Sequence, residues 1–209
     1  MRMVVLTKSS KYNNYCVAGF DIDTGNWVRL VSDDESIQGA LRPRHIAYNR
    51  KKEVEVLDVI EVATLGSEGN SLQPENVLID QTHPNIVTFI KHVDIMQVKK
   101  HFGTNNPRYL FGTVGYYVPE QEIVNLGYSL LFVEVTNLMI NHTRNDEDNP
   151  KTKASFNYNG SAYRYLAVTD PQYYCVDNGT EYGRALLVIS IGAPYNGKHY
   201  KFVAAIYPI

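Results

Sequence analysis

The chain has 209 residues, 44% of them hydrophobic and 20% charged, with a formal net charge of −2. That composition excludes a disordered chain, and without a global basic field a non-specific nucleic-acid coat protein is disfavoured, although a local basic groove is not. Two cysteines, Cys16 and Cys175, lie far apart in or beside apolar strand-like runs. Without a Cys-x-x-Cys pair or a matched histidine set they make no zinc framework, and they read as buried thiols.

In chain order, the apolar part of Met1–Lys8 is too short for a signal peptide. Strand patterns cover Val4–Leu6, Cys16–Ile22, Trp27–Val31 and Val54–Ala63. The second and third flank Asp23-Thr24-Gly25 as a hairpin. Trp27, the only Trp, stands two residues before Arg29, so an aromatic plate and a guanidinium share one strand face. Asp94–Phe102 carries Ile95, Val98 and Phe102 at helical spacing, and a second short helix is expected near Glu75–Leu78 or Ser36–Leu41. Glycines and prolines between Phe102 and Val118 break all periodicity. Further strands are expected at Leu130–Val135, Ala154–Tyr158, Tyr163–Val168, Ala185–Ile191 and His199–Ile206, with Asn159-Gly160 and Asn196-Gly197 as hairpin turns. The longest apolar run, Ala185–Ile191, cannot span a bilayer. Three sequons, at Asn141, Asn159 and Asn178, read as turn chemistry, and a cytoplasmic location is expected.

Gly192-Ala193-Pro194-Tyr195-Asn196-Gly197-Lys198-His199 follows a phosphate-loop pattern up to its last position. Such a loop needs a following helix to cradle phosphate, and here a strand follows, so a hairpin turn is the better reading. No Gly-x-Ser-x-Gly, His-Glu-x-x-His or Glu-x-Lys motif occurs. Asp146-Glu147-Asp148 lacks the glycine and distal Glu of a calcium loop and reads as a solvated loop. No cofactor or metal is expected. Arg42–Lys52 holds five Lys or Arg in eleven residues, the look of a phosphate-contacting loop or simply of a solvated one. Nine of the 16 tyrosines fall between Tyr158 and Tyr207; aromatics there supply either strand packing or a stacking platform for bases. Arg164 and Thr169 flank a strand end before Asp170-Pro171, where turn duty or ligand contact would suit them.

Lys8, Tyr15-Cys16-Val17-Ala18-Gly19 and Thr24-Gly25-x-Trp27-Val28-Arg29 resemble the opening of the bacterial dual OB-fold domain family. Phe156-x-Tyr158-x-Gly160, Tyr163-Arg164, Val168–Pro171, Leu187–Gly192 and Tyr200–Ile206 are similar to its later strands, and one departure is Leu30, where many relatives carry Pro. The resemblance implies a mostly β prokaryotic protein of two small OB-like Greek-key barrels with one or two short helices. The expected division is 1–111, holding the basic loop and the helix near 94–102, and 112–209. It also implies a binding module for single-stranded nucleic acid or a nucleotide, with no catalytic residue to carry over. OB barrels join stacking aromatics to a cationic groove. The candidate set is therefore Trp27 for stacking, Lys8, Lys11 and Arg29 for phosphate, Arg42, Arg44 and Arg50 as a supporting loop, and Arg164 and Thr169 in the second half. The alternatives are a protein-interaction scaffold and, further off, an enzyme acting on a nucleotide.

Overall fold

The computed structural model describes residues 1–209 except 12, 50, 51, 124, 125 and 146. Its first strands are β1 (Arg2–Lys11), β2 (Asn14–Asp21) and β3 (Trp27–Val31), joined as antiparallel neighbours. A two-stranded ribbon follows, β4 (Ala47–Asn49) with β5 (Lys52–Glu53), then β6 (Asp58–Val62), β7 (Thr64–Ser67), β8 (Asn76–Ile79) and β9 (Val87–His92). The main sheet runs β7-β8-β3-β2-β1-β6-β9, with β3 and β8 parallel. Only Ala63 separates β6 from β7, so the sheet curls back toward the strand it started from. Met3, Val5, Val17, Leu30, Ile60 and Ile79 fill its interior.

Close packing of β1 on β2 depends on Gly19. A Cβ at that position would lie 1.8 Å from the Val4 carbonyl oxygen, so no side chain fits there. The one α-helix among the described residues, α1 (Ile95–Phe102), starts where the periodicity predicts. Asp94 caps it by accepting from Met96 N–H at 2.7 Å, and Gln97 returns a carbonyl to Asp94 N–H at 3.0 Å. Ile95 and Val98 are its buried residues.

Two local expectations are corrected. Glu75–Leu78 is not helical: Asn76–Ile79 forms β8, because four residues are too short to show a helical period and their backbone finds partners in β3 and β7. The long strand expected over Val54–Ala63 begins only at Asp58, since Leu57 takes a positive φ of 69° and Asp58 N–H closes a turn onto Glu55. Near Ser36 the chain makes one 3-10 turn, Glu35–Ile37, capped by Asp34.

By its internal contacts the chain divides into Met1–Gly103 and Thr104–Ile209. In the second unit β10 (Tyr117–Pro119) precedes β11 (Leu130–Arg144), β12 (Pro150–Tyr158), β13 (Ser161–Val168), β14 (Thr180–Tyr195) and β15 (Lys198–Pro208). Strands β11, β12, β13, β15 and β14 pair in that order and β14 returns to β11, closing a five-stranded barrel in which β13 and β15 are parallel. β10 adds to β15 outside the closed ring. Asn159-Gly160 and Asn196-Gly197 sit at positive φ in two-residue turns, as the hairpin reading requires. Phe132, Phe156 and Tyr163 are fully buried, and Tyr163 Oη accepts from Leu110 N–H at 2.9 Å. The protein is mostly β, a curled half-barrel and a closed barrel with one α-helix, consistent with two OB-like units.

Candidate functional site

In the first unit a cleft of about 490 Å³ opens between strand ends and loops. Lys11 ends β1 and Tyr15 and Cys16 begin β2 along its wall. Arg29 to Val31 come from β3, Gln38 from the turn after it, and Gln73 from the β7–β8 loop. In barrel terms β1, β2 and β3 are the first three strands, β6 with β7 the fourth and β8 the fifth. The cleft therefore borders strands two and three, the end of the first hairpin and the loop joining strands four and five, where OB barrels take their ligands.

The loop is shaped by its own sequence. Asn70 Oδ1 accepts from Leu72 N–H at 2.9 Å and Gln73 N–H at 2.8 Å. Gly69 lies so close to Pro74 that a Cβ would come within 2.3 Å of its carbonyl oxygen. Gln73 is thereby held beside Asn76, whose Nδ2 donates to Gln73 Oε1 at 3.3 Å. Asn76 Oδ1 is buried with no hydrogen-bond partner among the described residues.

Register places Arg29 between Ala18 of β2 and Asn76 of β8, and it is 4% exposed. Its Nη2 lies 3.5 Å from Glu75 Oε1, an ion pair with both side chains nearly closed to solvent. A buried charge of this kind persists because it is paired. Lys11 donates from Nζ to the Gln38 carbonyl at 2.7 Å. Burial lowers its proton affinity below that of an ordinary lysine; Cys16 opposes that shift and Arg29 adds to it. Against these two cations the cleft wall carries Asp33, Glu35 and Glu68. With Arg29 neutralised by Glu75, Lys11 is the one cation open to a ligand among the described residues of the cleft, which suits a single phosphate and not a run of them.

The other sequence-predicted residues are placed differently. Trp27 does not line the cleft: its ring packs on Phe20 at 4.3 Å, and Phe20 stacks on Phe102 of α1 at 4.7 Å. Lys8 pairs with Glu53 at 2.7 Å and sits 4.5 Å from the Tyr15 ring centre. Arg42 is engaged by Asp34, which caps the 3-10 turn. Arg44 is exposed, and its Nε lies 3.2 Å from His45 Nε2. Arg50 lies outside the described residues. In the second unit Arg164 is exposed on β13, whereas Thr169 N–H donates to the Val203 carbonyl at 2.9 Å. Of the set, Lys11 and Arg29 come together. Gln38, Gln73 and Asn76 stand outside that set, and the sequence signal for Gln73 and Asn76 is the turn chemistry of Gly69-Asn70 and Pro74.

A second cavity of about 650 Å³ in the Thr104–Ile209 unit is lined by four asparagines, Asn105, Asn106, Asn157 and Asn159, beside Tyr158. Three of these are spent on structure: Asn105 accepts from Phe132 N–H at 2.7 Å and Asn159 donates to Asn106 at 2.8 Å. Among the described residues no group of three or more His, Cys, Asp or Glu is placed to hold a metal ion. No helix there is long and apolar enough to cross a membrane.

No curated protein and no solved structure gives a match to this chain. Residues 1–206 match the model of the family described as the dual OB-containing domain, and the chain, with its two OB-like units, belongs to that family.

Proposed function

We propose that the chain is a non-enzymatic binding module for single-stranded nucleic acid or a nucleotide, and that the cleft of the first unit receives one nucleotide. The observation that carries this reading is the position of the cleft, at the strand faces and loops that bind ligands in OB barrels. The lining chemistry supports it. Lys11 provides the cation, Tyr15 is an aromatic residue of the wall, and Gln38, Asn70 and Gln73 provide the amides that read a base edge. At about 490 Å³ the cleft falls within the range of small-molecule sites. Trp27 supports β3 through Phe20 in this reading, rather than meeting the ligand.

The test titrates mononucleotides and short labelled single-stranded DNA and RNA into the full chain at low and moderate salt. Lys11→Ala is expected to weaken mononucleotide binding about tenfold, the worth of one charge-assisted hydrogen bond. Unchanged affinity in Lys11→Ala and Gln73→Ala, or no binding at micromolar protein in low salt, would overturn the assignment.

A further inference from the structure

Four tyrosine side chains converge on one edge of the second unit. Tyr117 of β10 is in register with Tyr200 of β15, their ring centres 6.4 Å apart. Tyr116 meets Tyr117 at 5.3 Å and lies near-parallel to Tyr200 at 6.1 Å, with 25° between the planes. Tyr195, the last residue of β14, is 6.4 Å from Tyr200. Lys198, opposite Tyr195 across the hairpin turn, holds its ammonium 4.5 Å from the Tyr117 ring centre. Backbone bonds fix the arrangement: Lys201 N–H donates to the Tyr116 carbonyl at 2.9 Å, and Glu120 N–H to the Gly197 carbonyl at 3.1 Å.

Packing accounts for part of Tyr117 and Tyr200, which are half-buried, but not for Tyr116 and Tyr195. Three buried tyrosines of this unit are held by their hydroxyls, which donate to backbone carbonyls: Tyr158 to Pro107, Tyr163 to Thr113 and Tyr173 to Ile206. By contrast Tyr195 is 66% exposed and Tyr116 47%, with Val114 beside Tyr116 in the chain also open at 52%. Two exposed rings backed by the half-buried Tyr117 and Tyr200 beside a cation are what unpaired bases stack on, since every base has a π-face and brings a phosphate with it. Glu120 at the turn limits the local charge to one phosphate near Lys198, so the surface favours stacking over electrostatic capture.

We infer that Tyr116, Tyr117, Tyr195 and Tyr200, with Lys198, form a second binding site that stacks unpaired bases of single-stranded nucleic acid. This rests on the reading of the chain as a nucleic-acid binder, but it uses residues of the second unit alone. It also gives the phosphate-loop-like segment a different role: its Tyr195 and Lys198 serve from a hairpin tip, without a helix.

The experiment incorporates 3-fluorotyrosine into the full chain, assigns the Tyr116 and Tyr195 resonances with Tyr→Phe variants, and titrates an oligothymidylate of about ten bases, within the span of one OB barrel. Both resonances should shift saturably. Tyr195→Ala should weaken oligonucleotide binding about tenfold and Tyr195→Phe less than threefold, because the ring and not the hydroxyl carries the stack. Oligonucleotide binding that depends on Lys11 while both resonances stay still and Tyr195→Ala binds normally would overturn the second site and leave the cleft standing. Mononucleotide binding sensitive to Lys11 with no oligonucleotide binding would likewise reject the tyrosine site alone. Absence of both would reject both.

Discussion

Lys201 offers the sharpest test of the second barrel. It is 1% exposed on β15, and its ammonium donates to the Thr113 carbonyl at 2.7 Å and to Thr113 Oγ1 at 2.8 Å, both neutral groups. Burial lowers its pKa from 10.5 to about 7. At roughly 1.4 kcal/mol per tenfold in proton affinity, the charged form is disfavoured by at most about 5 kcal/mol. Relaxation and water penetration reduce that figure. Lys201→Met is one atom shorter and loses two hydrogen bonds worth about 1 kcal/mol each. The sign follows from linkage. Between about pH 7 and 10.5 the unfolded lysine holds a proton that the folded one has released, so wild-type stability rises with pH in that window, while below it the full penalty applies. Lys201→Met should therefore be about 2–3 kcal/mol more stable than wild type at pH 6. The gap should close as pH rises, and the variant should be about 1 kcal/mol less stable at pH 10. Urea unfolding followed by circular dichroism across this range measures the difference. A difference that does not change with pH, or a variant already less stable at pH 6, would refute the reasoning.

Other outcomes follow from the first unit. Gly19→Ala forces a methyl into the Val4 carbonyl, and denaturant unfolding should show a loss of about 3 kcal/mol or a failure to fold. Arg29→Ala leaves Glu75 buried without this cation, and the same assay should show a loss of about 3–5 kcal/mol. Arg29→Leu combined with Glu75→Leu should recover much of that loss. Trp27→Phe should keep mononucleotide affinity within about twofold, because the indole packs on Phe20 and makes no wall of the cleft; a tenfold loss in the same titration would place the ring at the ligand. Asp94→Ala removes the α1 cap and should lower stability by about 1 kcal/mol.

Local chemistry made much of the architecture legible. Asn159-Gly160 and Asn196-Gly197 announce their turns because few other residue pairs accept positive φ twice in succession. Asp94 and Gln97 announce a helix start by the bonds their side chains return to the backbone. The aromatic and β-branched residues of Trp27–Val31 mark a strand of five residues, which is the strand observed. The resemblance carried by Tyr15–Gly19, Trp27–Arg29 and the closing strands was enough to name the family that residues 1–206 match. What stayed hidden was decided by pairing between residues distant in sequence. β8 is a strand because β3 and β7 supply its partners, and no pattern within four residues records that. Trp27 and Arg29 look alike as candidates on a shared strand face. Tertiary neighbours separate them, since Phe20 and Phe102 cover the region of the indole whereas Asn76 and the β7–β8 loop bring the guanidinium to a cleft. Within the basic run, Arg42 meets an acid eight residues away, a pairing that the run of charge by itself does not show. A sequence states which side chains are present and how each biases its own backbone; which of them share a cavity depends on long-range strand order, and only the folded chain contains that information.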